Sequence, residues 1–146
     1  MKKIILCDLD GTLADCQHRI HHILKTPKDW KSFFSDCSYD EPIQHIIDLI
    51  NAIDRSKYEV WITSGRSDEC KQQTIKWLYD SGVMYDNLIM RKSGDHTDDG
   101  ILKPSWLSDG TIPRERVAFA IDDRNRVVKA WRDNFVTCLQ VAEGDF

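Results

Sequence analysis

The 146-residue sequence predicts an α/β fold: a Rossmann-like parallel sheet of about five strands with flanking helices and a small helical cap insertion. Two observations support this fold. Short apolar runs alternate along the chain with segments whose apolar residues recur every three or four positions, which is the strand and helix alternation of parallel sheets. Several of the runs also end abruptly in polar residues, as buried strands do where they enter a loop.

Five short apolar runs are the candidate strands. The first ends at the sequence Asp-Leu-Asp-Gly-Thr, the second at Thr-Ser-Gly-Arg, and the fourth at a pair of aspartates. Apolar runs of this length bounded by turn residues are typical of strands that are buried on both faces. The predicted strands span residues 3–8, 58–63, 87–91, 116–121 and 136–141.

Segments with helical spacing lie between most of these strands. Isoleucines recur at threes and fours over residues 43–53, and similar spacing follows Ser67 and recurs over residues 127–131. Residues 13–40 break the alternation, because two short amphipathic pieces, 18–24 and 29–34, flank a Thr-Pro pair. We expect residues 13–40 to form the cap insertion of a single domain that spans residues 1–146.

Composition narrows the class of protein. A hydrophobic content of 41% with 30% charged residues excludes a disordered chain. No apolar run is long enough for a membrane span or a secretory leader, and the five cysteines form no C-x-x-C pair. We therefore expect a cytoplasmic protein with reduced, packed thiols and no membrane partner. The net charge of −4 argues only weakly against a nucleic-acid partner, because local charge decides binding.

The polar ends of three predicted strands form the candidate site, because functional groups of open parallel sheets gather at the carboxyl ends of the strands. Alone, each aspartate there is more simply a helix cap or turn former. Together, four carboxylates repel one another unless a cation binds, and oxygen ligands without cysteine or histidine partners select Mg²⁺. The residues at these ends are Asp8, Asp10, Ser64, Arg66, Asp122 and Asp123.

A magnesium ion beside carboxylates, a hydroxyl and a guanidinium is suited to phosphoryl transfer. An aspartate can attack phosphorus to form an aspartyl-phosphate, which water then hydrolyses. A second acid close by can protonate the leaving oxygen. The sequence therefore favours a metal-dependent phosphatase.

Four motifs resemble those of the haloacid dehalogenase-like phosphatases, in the same order. The Asp-Leu-Asp-Gly-Thr sequence of residues 8–12 resembles the first motif, followed by Ser64, Lys103 and the aspartate pair 122–123. The resemblance implies that Asp8 is the nucleophile and a magnesium ligand. It implies that Asp10 is the general acid and base and gives the metal its main-chain carbonyl.

The same resemblance implies roles for the other motif residues. Ser64 would bind the phosphoryl group, and Lys103 would offset its charge. Asp122 would hold magnesium, with Asp123 in support.

A more specific resemblance is to the phosphatase half of phage polynucleotide kinase/phosphatase, which removes 3'-phosphates from DNA or RNA ends. It rests on residues 64–66, 90–95, 122–124 and the ending at 138–146, and it covers nearly the whole chain. It implies a polar contact from Asp99 to Lys103 and the cytoplasm of a host cell as location. The substrate-binding residues that it implies are Thr12, Gly65, Arg66, Arg91 and Arg124.

The predicted function is a magnesium-dependent phosphomonoesterase that removes 3'-phosphates from polynucleotide ends. One alternative is a phosphatase of free nucleotides or other small phosphate esters, which would use the same residues. Another is a non-catalytic module that binds phosphorylated ends. No G-x-x-x-x-G-K-[ST] motif occurs, so we expect a separate protein to supply any 5'-kinase, and a ligase is a further candidate partner.

The tryptophans divide into two groups. We expect Trp61, Trp77 and Trp131 to pack in the core, because they fall at core-facing positions. Trp30 lies in the cap insertion, where stacking on a nucleobase and ordinary packing are equally supported.

Overall fold

The computed structural model describes all 146 residues. The strands are β1 (Lys3–Cys7), β2 (Ala14–Asp15), β3 (Glu41–Pro42), β4 (Tyr58–Ser67), β5 (Asn87–Arg91), β6 (Val117–Asp122) and β7 (Cys138–Gln140). The helices are α1 (His21–Leu24), α2 (Trp30–Ser35), α3 (Gln44–Asn51), α4 (Lys71–Asp80), α5 (Asp99–Ser108) and α6 (Asn125–Asp133). No helix is long and apolar enough to cross a bilayer.

The main sheet has five strands in the order β5-β4-β1-β6-β7, and every neighbouring pair is parallel. This arrangement confirms the predicted fold class. Successive side chains of central β1 point to opposite faces. Ile4 and Leu6 join the core formed with α5 and α6, whereas Ile5 and Cys7 join the core formed with α3 and α4. Both faces of the sheet are therefore covered, and the polar strand ends meet at one edge.

The last strand is shorter than predicted, Cys138–Gln140 in place of residues 136–141, and two further differences from the predicted elements concern the site. Strand β4 extends to Ser67, and its pairing with β5 is irregular between Ser64 and Ser67, where the chain turns toward the site. The sequence also gave no prediction for α5, because Gly100 and Pro104 both disfavour a helix interior. The Asp98 side chain caps this helix by accepting a hydrogen bond from the Gly100 amide (2.9 Å).

The cap insertion leaves the sheet after β1 and returns before α3. Its two ends are held together by the antiparallel pair β2 and β3, in which Ala14 lies opposite Pro42. Between them lie α1, α2 and two short 3₁₀ turns, Gln17–Arg19 and Asp36–Tyr39. The insertion is therefore small and helical, and it is tied to the main domain at its base.

Several packing predictions are confirmed. All five cysteines are free and buried. Trp77 and Trp131 are buried, Trp61 is half-buried against the core, and Trp30 is exposed.

Candidate active site

Three buried aspartates form a cluster at the carboxyl edge of the sheet. Asp8 follows β1, and Asp122 and Asp123 stand at the end of β6. The backbone amide of Asp8 donates to the Ile121 carbonyl (2.9 Å), which ties the two strand ends together. One carboxylate oxygen from each aspartate lies within 4.8 Å of the others. Of the four carboxylates that the sequence predicted to converge, three therefore do so, and the prediction is wrong for the side chain of Asp10.

The turn after Asp8 supports this cluster. Thr12 Oγ1 donates to Asp8 Oδ2 (2.9 Å) and is fully buried, so Thr12 positions Asp8 rather than facing an open surface. Gly11 has a φ of 83°, and a Cβ atom there would lie 2.0 Å from Asp123 Oδ2. A side chain at this position would displace the Asp123 carboxylate.

Lys103 supplies the one cation inside the aspartate cluster. Its Nζ donates to Asp8 Oδ1 (2.7 Å) and Asp122 Oδ2 (2.9 Å), and the residue is only 2% exposed. Burial alone would lower the pKa of Lys103, but the neighbouring carboxylates outweigh burial and raise it. The pKa of Asp8 is raised well above its usual value, first by burial and then by Asp122, despite the opposing effect of Lys103.

The charges of this cluster suit a divalent cation. Asp8, Asp122 and Asp123 carry three negative charges when ionised, and Lys103 offsets one of them. Two charges remain uncompensated in a buried site, where isolated charges are costly. Carboxylate oxygens are the ligands that Mg²⁺ prefers. The residues present therefore fit a magnesium ion, with Asp8, Asp122 and Asp123 as its side-chain ligands.

Asp10 lies outside this cluster, in a separate network with two arginines. Arg66 Nη2 and Arg19 Nη2 both donate to Asp10 Oδ1 at 2.6 Å. Asp40 completes the network by accepting from Arg19 Nε (2.8 Å) and Arg66 Nη2 (2.9 Å). Burial would raise the pKa of Asp10, but Arg66 and Arg19 outweigh it and lower the pKa to about 2. With two carboxylates and two guanidiniums, this network is balanced without a metal.

Arg66 has a different environment from the one that the sequence predicted. All three guanidinium nitrogens already donate: Nε and Nη2 to Asp10, Nη2 also to Asp40, and Nη1 to Thr74 Oγ1 (3.0 Å). The residue is 1% exposed. Arg66 therefore orients Asp10 in this structure, in place of the predicted direct contact to a substrate phosphate.

The expected contact between Asp99 and Lys103 is wrong. No hydrogen bond joins them; Asp99 Oδ1 instead accepts from Arg91 Nη2, and Oδ2 accepts from Arg124 Nη1 (3.1 Å). Gly65 packs against the same carboxylate, because a Cβ atom on Gly65 would lie 2.7 Å from Asp99 Oδ1. Asp99 therefore links the turn of β4 to α5 and the start of α6.

The remaining predicted substrate-binding residues differ in their exposure and in the hydrogen bonds that they already form. Arg91 donates through Nε to the Gly65 carbonyl (2.8 Å) and through Nη1 to two further carbonyls, so it braces the loop. Arg124 also donates to the Phe146 carbonyl (2.7 Å), but a quarter of its side chain is exposed. Ser64 is buried, and its Oγ accepts from the Arg66 amide (3.1 Å). Arg124 is the most accessible of the predicted arginines.

Sequence reasoning missed Arg19. This fully buried residue comes from the 3₁₀ turn of the cap insertion and contacts Asp10, Asp40 and the Phe33 carbonyl (3.1 Å). No strand end, helix face or motif marks it in the sequence. Only the folding of the insertion over the site brings this arginine to Asp10.

Comparison with known proteins shows the family of this chain. The family model described as the polynucleotide kinase PNKP phosphatase domain matches residues 2–146. The chain belongs to this phosphatase family. As a PNKP phosphatase domain it is a phosphatase of the haloacid dehalogenase type, and its aspartates occupy the carboxyl edge of that α/β fold.

Two relatives from polynucleotide kinase and RNA-repair systems are similar to this chain. An Autographa californica nuclear polyhedrosis virus protein, assigned as a bifunctional polynucleotide kinase/RNA ligase, is 30% identical over 90% of this chain and 18% of its own length. A chain of the Pnkp1/Rnl/Hen1 RNA repair complex is 28% identical with a TM-score of 0.81, covering 99% of this chain and 44% of that chain.

A more distant match supports the fold alone. The haloacid dehalogenase-like hydrolase SP0104 from Streptococcus pneumoniae is 16% identical with a TM-score of 0.62, covering 95% of this chain and 84% of that chain. The PNKP phosphatase domain described here therefore spans less than half the length of the viral and RNA-repair relatives.

Proposed function

We propose that this phosphatase removes 3'-phosphates from polynucleotide ends, with Mg²⁺ bound by the aspartate cluster. The observation that carries the proposal is the pairing of two buried networks at one sheet edge. One network is two negative charges in excess around Asp8, and the other is balanced around Asp10. Membership of the PNKP phosphatase family and the RNA-repair relative support a polynucleotide end as substrate.

In the proposed first step, the Asp8 carboxylate attacks phosphorus and the alkoxide of the substrate leaves. Thr12 and Lys103 hold one Asp8 oxygen each, so the carboxylate keeps a fixed orientation. Mg²⁺, when bound, offsets the negative charge of the phosphoryl oxygens. Asp122 and Asp123 would hold it together with Asp8 and the main-chain carbonyl of Asp10.

Asp10 is the proposed acid and base. In the second step Asp10 takes a proton from the water that attacks phosphorus, for which its ionised state is suitable. The bond between phosphorus and the Asp8 carboxylate breaks, and inorganic phosphate leaves. In the first step Asp10 must carry a proton. A bound phosphate adds negative charge beside Asp10, and such a charge raises the pKa of a carboxyl group toward the value that a proton donor needs. Arg19 and Arg66 are positioning residues for this group.

We further propose that residues 1–146 act as one catalytic domain. A separate kinase or ligase would act on the other polynucleotide ends at the same strand break. The names of the viral and RNA-repair relatives support such partners. These relatives are much longer than this chain. The kinase and ligase activities are therefore proposed for partners and not for residues 1–146.

The testing experiment is release of inorganic phosphate, with and without Mg²⁺. The substrates are a 3'-phosphorylated oligonucleotide, a 5'-phosphorylated one, and free 3'- and 5'-nucleotides. We expect Mg²⁺-dependent release that is fastest from the 3'-phosphorylated oligonucleotide. Asp8→Asn should abolish release, whereas Asp133→Asn, at an exposed ion pair, should leave it unchanged.

Each alternative has its own signature in the same assay. Equal or faster turnover of free nucleotides would indicate a small-ester phosphatase. Binding of phosphorylated ends with no phosphate release from any substrate would indicate a non-catalytic module. Release that is unaffected by chelation of divalent ions would contradict the proposed metal.

A further inference from the structure

Three aromatic rings of α2 in the cap insertion contact one another, and one of them is exposed. We call these rings the α2 aromatic cluster: Trp30, Phe33 and Phe34. Trp30 is 44% exposed, whereas the other four tryptophans are buried or half-buried. Trp30 is therefore the one indole of this protein with a large area available to another molecule.

The indole of Trp30 is held by its neighbours. The Phe33 ring meets it edge-on, with ring centres 5.6 Å apart and planes at 89°, and the Phe34 ring lies nearly parallel at 5.8 Å. Phe33 itself is buried. Little conformational freedom remains to be lost when a flat ligand binds, which favours binding.

One positively charged side chain contacts this indole, and two more lie close to it in the sequence. Lys28 Nζ lies over the Trp30 ring system, 5.6 Å from its centre. Lys28 and Lys31 are exposed and form no ion pair, whereas Lys25 lies 3.9 Å from Asp29. The Asp29 carboxylate is also occupied by Ser32 at the start of α2. The unpaired charge beside the indole is therefore basic.

The cluster is connected to the active site by direct contacts. The Arg19 guanidinium lies 4.3 Å from the centre of the Phe33 ring, and its Nη1 donates to the Phe33 carbonyl. The same guanidinium holds Asp10 at 2.6 Å. One side chain, Arg19, thus separates the aromatic cluster from the proposed acid and base.

We propose that the α2 aromatic cluster binds the single-stranded polynucleotide upstream of the terminal phosphate, and this rests on the proposed function. The indole of Trp30 stacks on a nucleobase, and Lys28 and Lys31 contact backbone phosphates. Every base has a face that can stack, so the contact tolerates any sequence. A duplex end already stacks its bases internally, so this surface selects single strands or frayed ends.

The test compares two substrates of one enzyme. We expect Trp30→Ala to raise KM for a 3'-phosphorylated single-stranded oligonucleotide by roughly 5- to 150-fold, the range that loss of one base–aromatic stack gives. Turnover of p-nitrophenyl phosphate, which has no upstream nucleotide, should be unchanged. Trp30→Phe should retain most of the oligonucleotide affinity, because it keeps a stacking ring.

A binding experiment tests the lysines separately. We use the inactive Asp8→Asn background and the anisotropy of a labelled 3'-phosphorylated oligonucleotide. The pair Lys28→Ser and Lys31→Ser should reduce the slope of log affinity against log salt by about 1.4, because each phosphate contact to a single strand contributes about 0.7. Lys76→Ser and Lys129→Ser, at exposed positions on α4 and α6, are the matched control and should leave the slope unchanged.

The possible failures are distinguishable. If the wild type prefers the oligonucleotide but Trp30→Ala has the same KM for it, the inference is wrong and the proposed function stands. If the wild type turns over free nucleotides as well as the oligonucleotide, the proposed function fails and the inference fails with it. Equal loss of p-nitrophenyl phosphate turnover in Trp30→Ala would show a structural role and also overturn the inference. If Trp30→Ala raises KM for a blunt duplex end as much as for the single strand, the proposed selection for single strands is wrong.

Discussion

Gly11 shows how closely single residues are constrained at the site. The backbone of the turn after Asp8 takes a positive φ, which non-glycine residues adopt at a cost of about 1 to 2 kcal/mol. At Gly11 the space is restricted as well, because the Asp123 carboxylate lies where a Cβ atom would stand. Conformation and close approach therefore both require glycine here.

Gly11→Ala should lower both stability and activity. Gly94 and Gly110 have nearly the same φ, 84° and 82°, but no atom lies within 4 Å of an added Cβ at either position. Gly94→Ala is therefore the matched control for backbone strain alone. Thermal unfolding and phosphate release should show a larger fall in Tm for Gly11→Ala, with loss of activity only there.

One result would contradict the close approach of Asp123 to Gly11. Equal effects of Gly11→Ala and Gly94→Ala on Tm, with activity retained in both, would mean that Asp123 moves aside at no cost and has no role in the site.

The hydrogen-bond partners of the three predicted arginines could not be predicted from the local sequence. Arg66 and Arg91 are predicted substrate-binding residues, and in the structure both side chains hold other groups of the protein. The sequence could not show that both guanidiniums are already occupied. Asp40, a partner of Arg66, lies 26 residues away, and Asp99 contacts Arg91 across a loop that has no regular pattern. Arg124 keeps the most exposed side chain of the three arginines.

Among the helices, α5 positions the Lys103 ammonium group in the aspartate cluster. Lys103 lies in the interior of this helix, one residue before Pro104, and projects into the aspartate cluster. A lysine before a proline is ordinarily solvated in a turn. The helix forms despite Gly100 and Pro104 because Leu102, Trp106 and Leu107 bury themselves against the sheet.

Lys103→Met should destabilise the protein by about 3 to 5 kcal/mol, the usual cost of removing one partner from buried ion pairs. The cause is repulsion among Asp8, Asp122 and Asp123 without an ammonium between them. Added Mg²⁺ should therefore raise the Tm of the variant more than that of the wild type. Urea and thermal unfolding with and without Mg²⁺ measure both effects.

Lys76→Met is the control for this prediction, because Lys76 pairs with Asp80 at the surface and such pairs contribute about 0 to 1 kcal/mol. A Tm rise with Mg²⁺ that is the same in the Lys103→Met variant and the wild type would contradict the placement of the metal beside Lys103.

At the scale of the whole molecule, the Asp10 network joins three parts of the fold. Asp10 comes from the turn after β1, Arg66 from β4, and Arg19 and Asp40 from the cap insertion. Trp77 of α4 adds a hydrogen bond from Nε1 to the Asp40 carbonyl (2.8 Å). The position of the cap therefore depends on the ionised state of these carboxylates.

This dependence predicts a loss of stability in acid. The pKa of Asp10 is about 2 in the folded protein and about 3.9 in an unfolded chain. Above about pH 5 the carboxyl group is ionised in both states and the contribution, about 2.6 kcal/mol, is complete. Between about pH 5 and 2 the unfolded state takes up the proton first, so stability falls as the pH falls.

In the Asp10→Asn variant the free energy of unfolding should depend less on pH in acid, because asparagine does not titrate. Urea unfolding of wild type and variant between pH 5 and 2, in a chelator, measures the free energy of unfolding of each. We expect a smaller fall for the variant, although its stability at neutral pH is lower because two arginines lose a partner. An equal fall in both proteins would show that Asp10 is not held by the arginines in solution.

The amino-acid sequence alone predicts the parallel α/β sheet and the acids at its carboxyl edge, whereas the order of the strands comes from the structure. These features are local: apolar runs and their polar ends are contiguous in the chain, and parallel strands bring their ends together whatever the details of the loops. Tertiary structure alone decided which groups touch. It placed the Asp10 side chain outside the cluster of Asp8, Asp122 and Asp123, buried Lys103 inside that cluster, and brought Arg19 of the cap insertion to Asp10, because these contacts join segments whose relative positions no local pattern records.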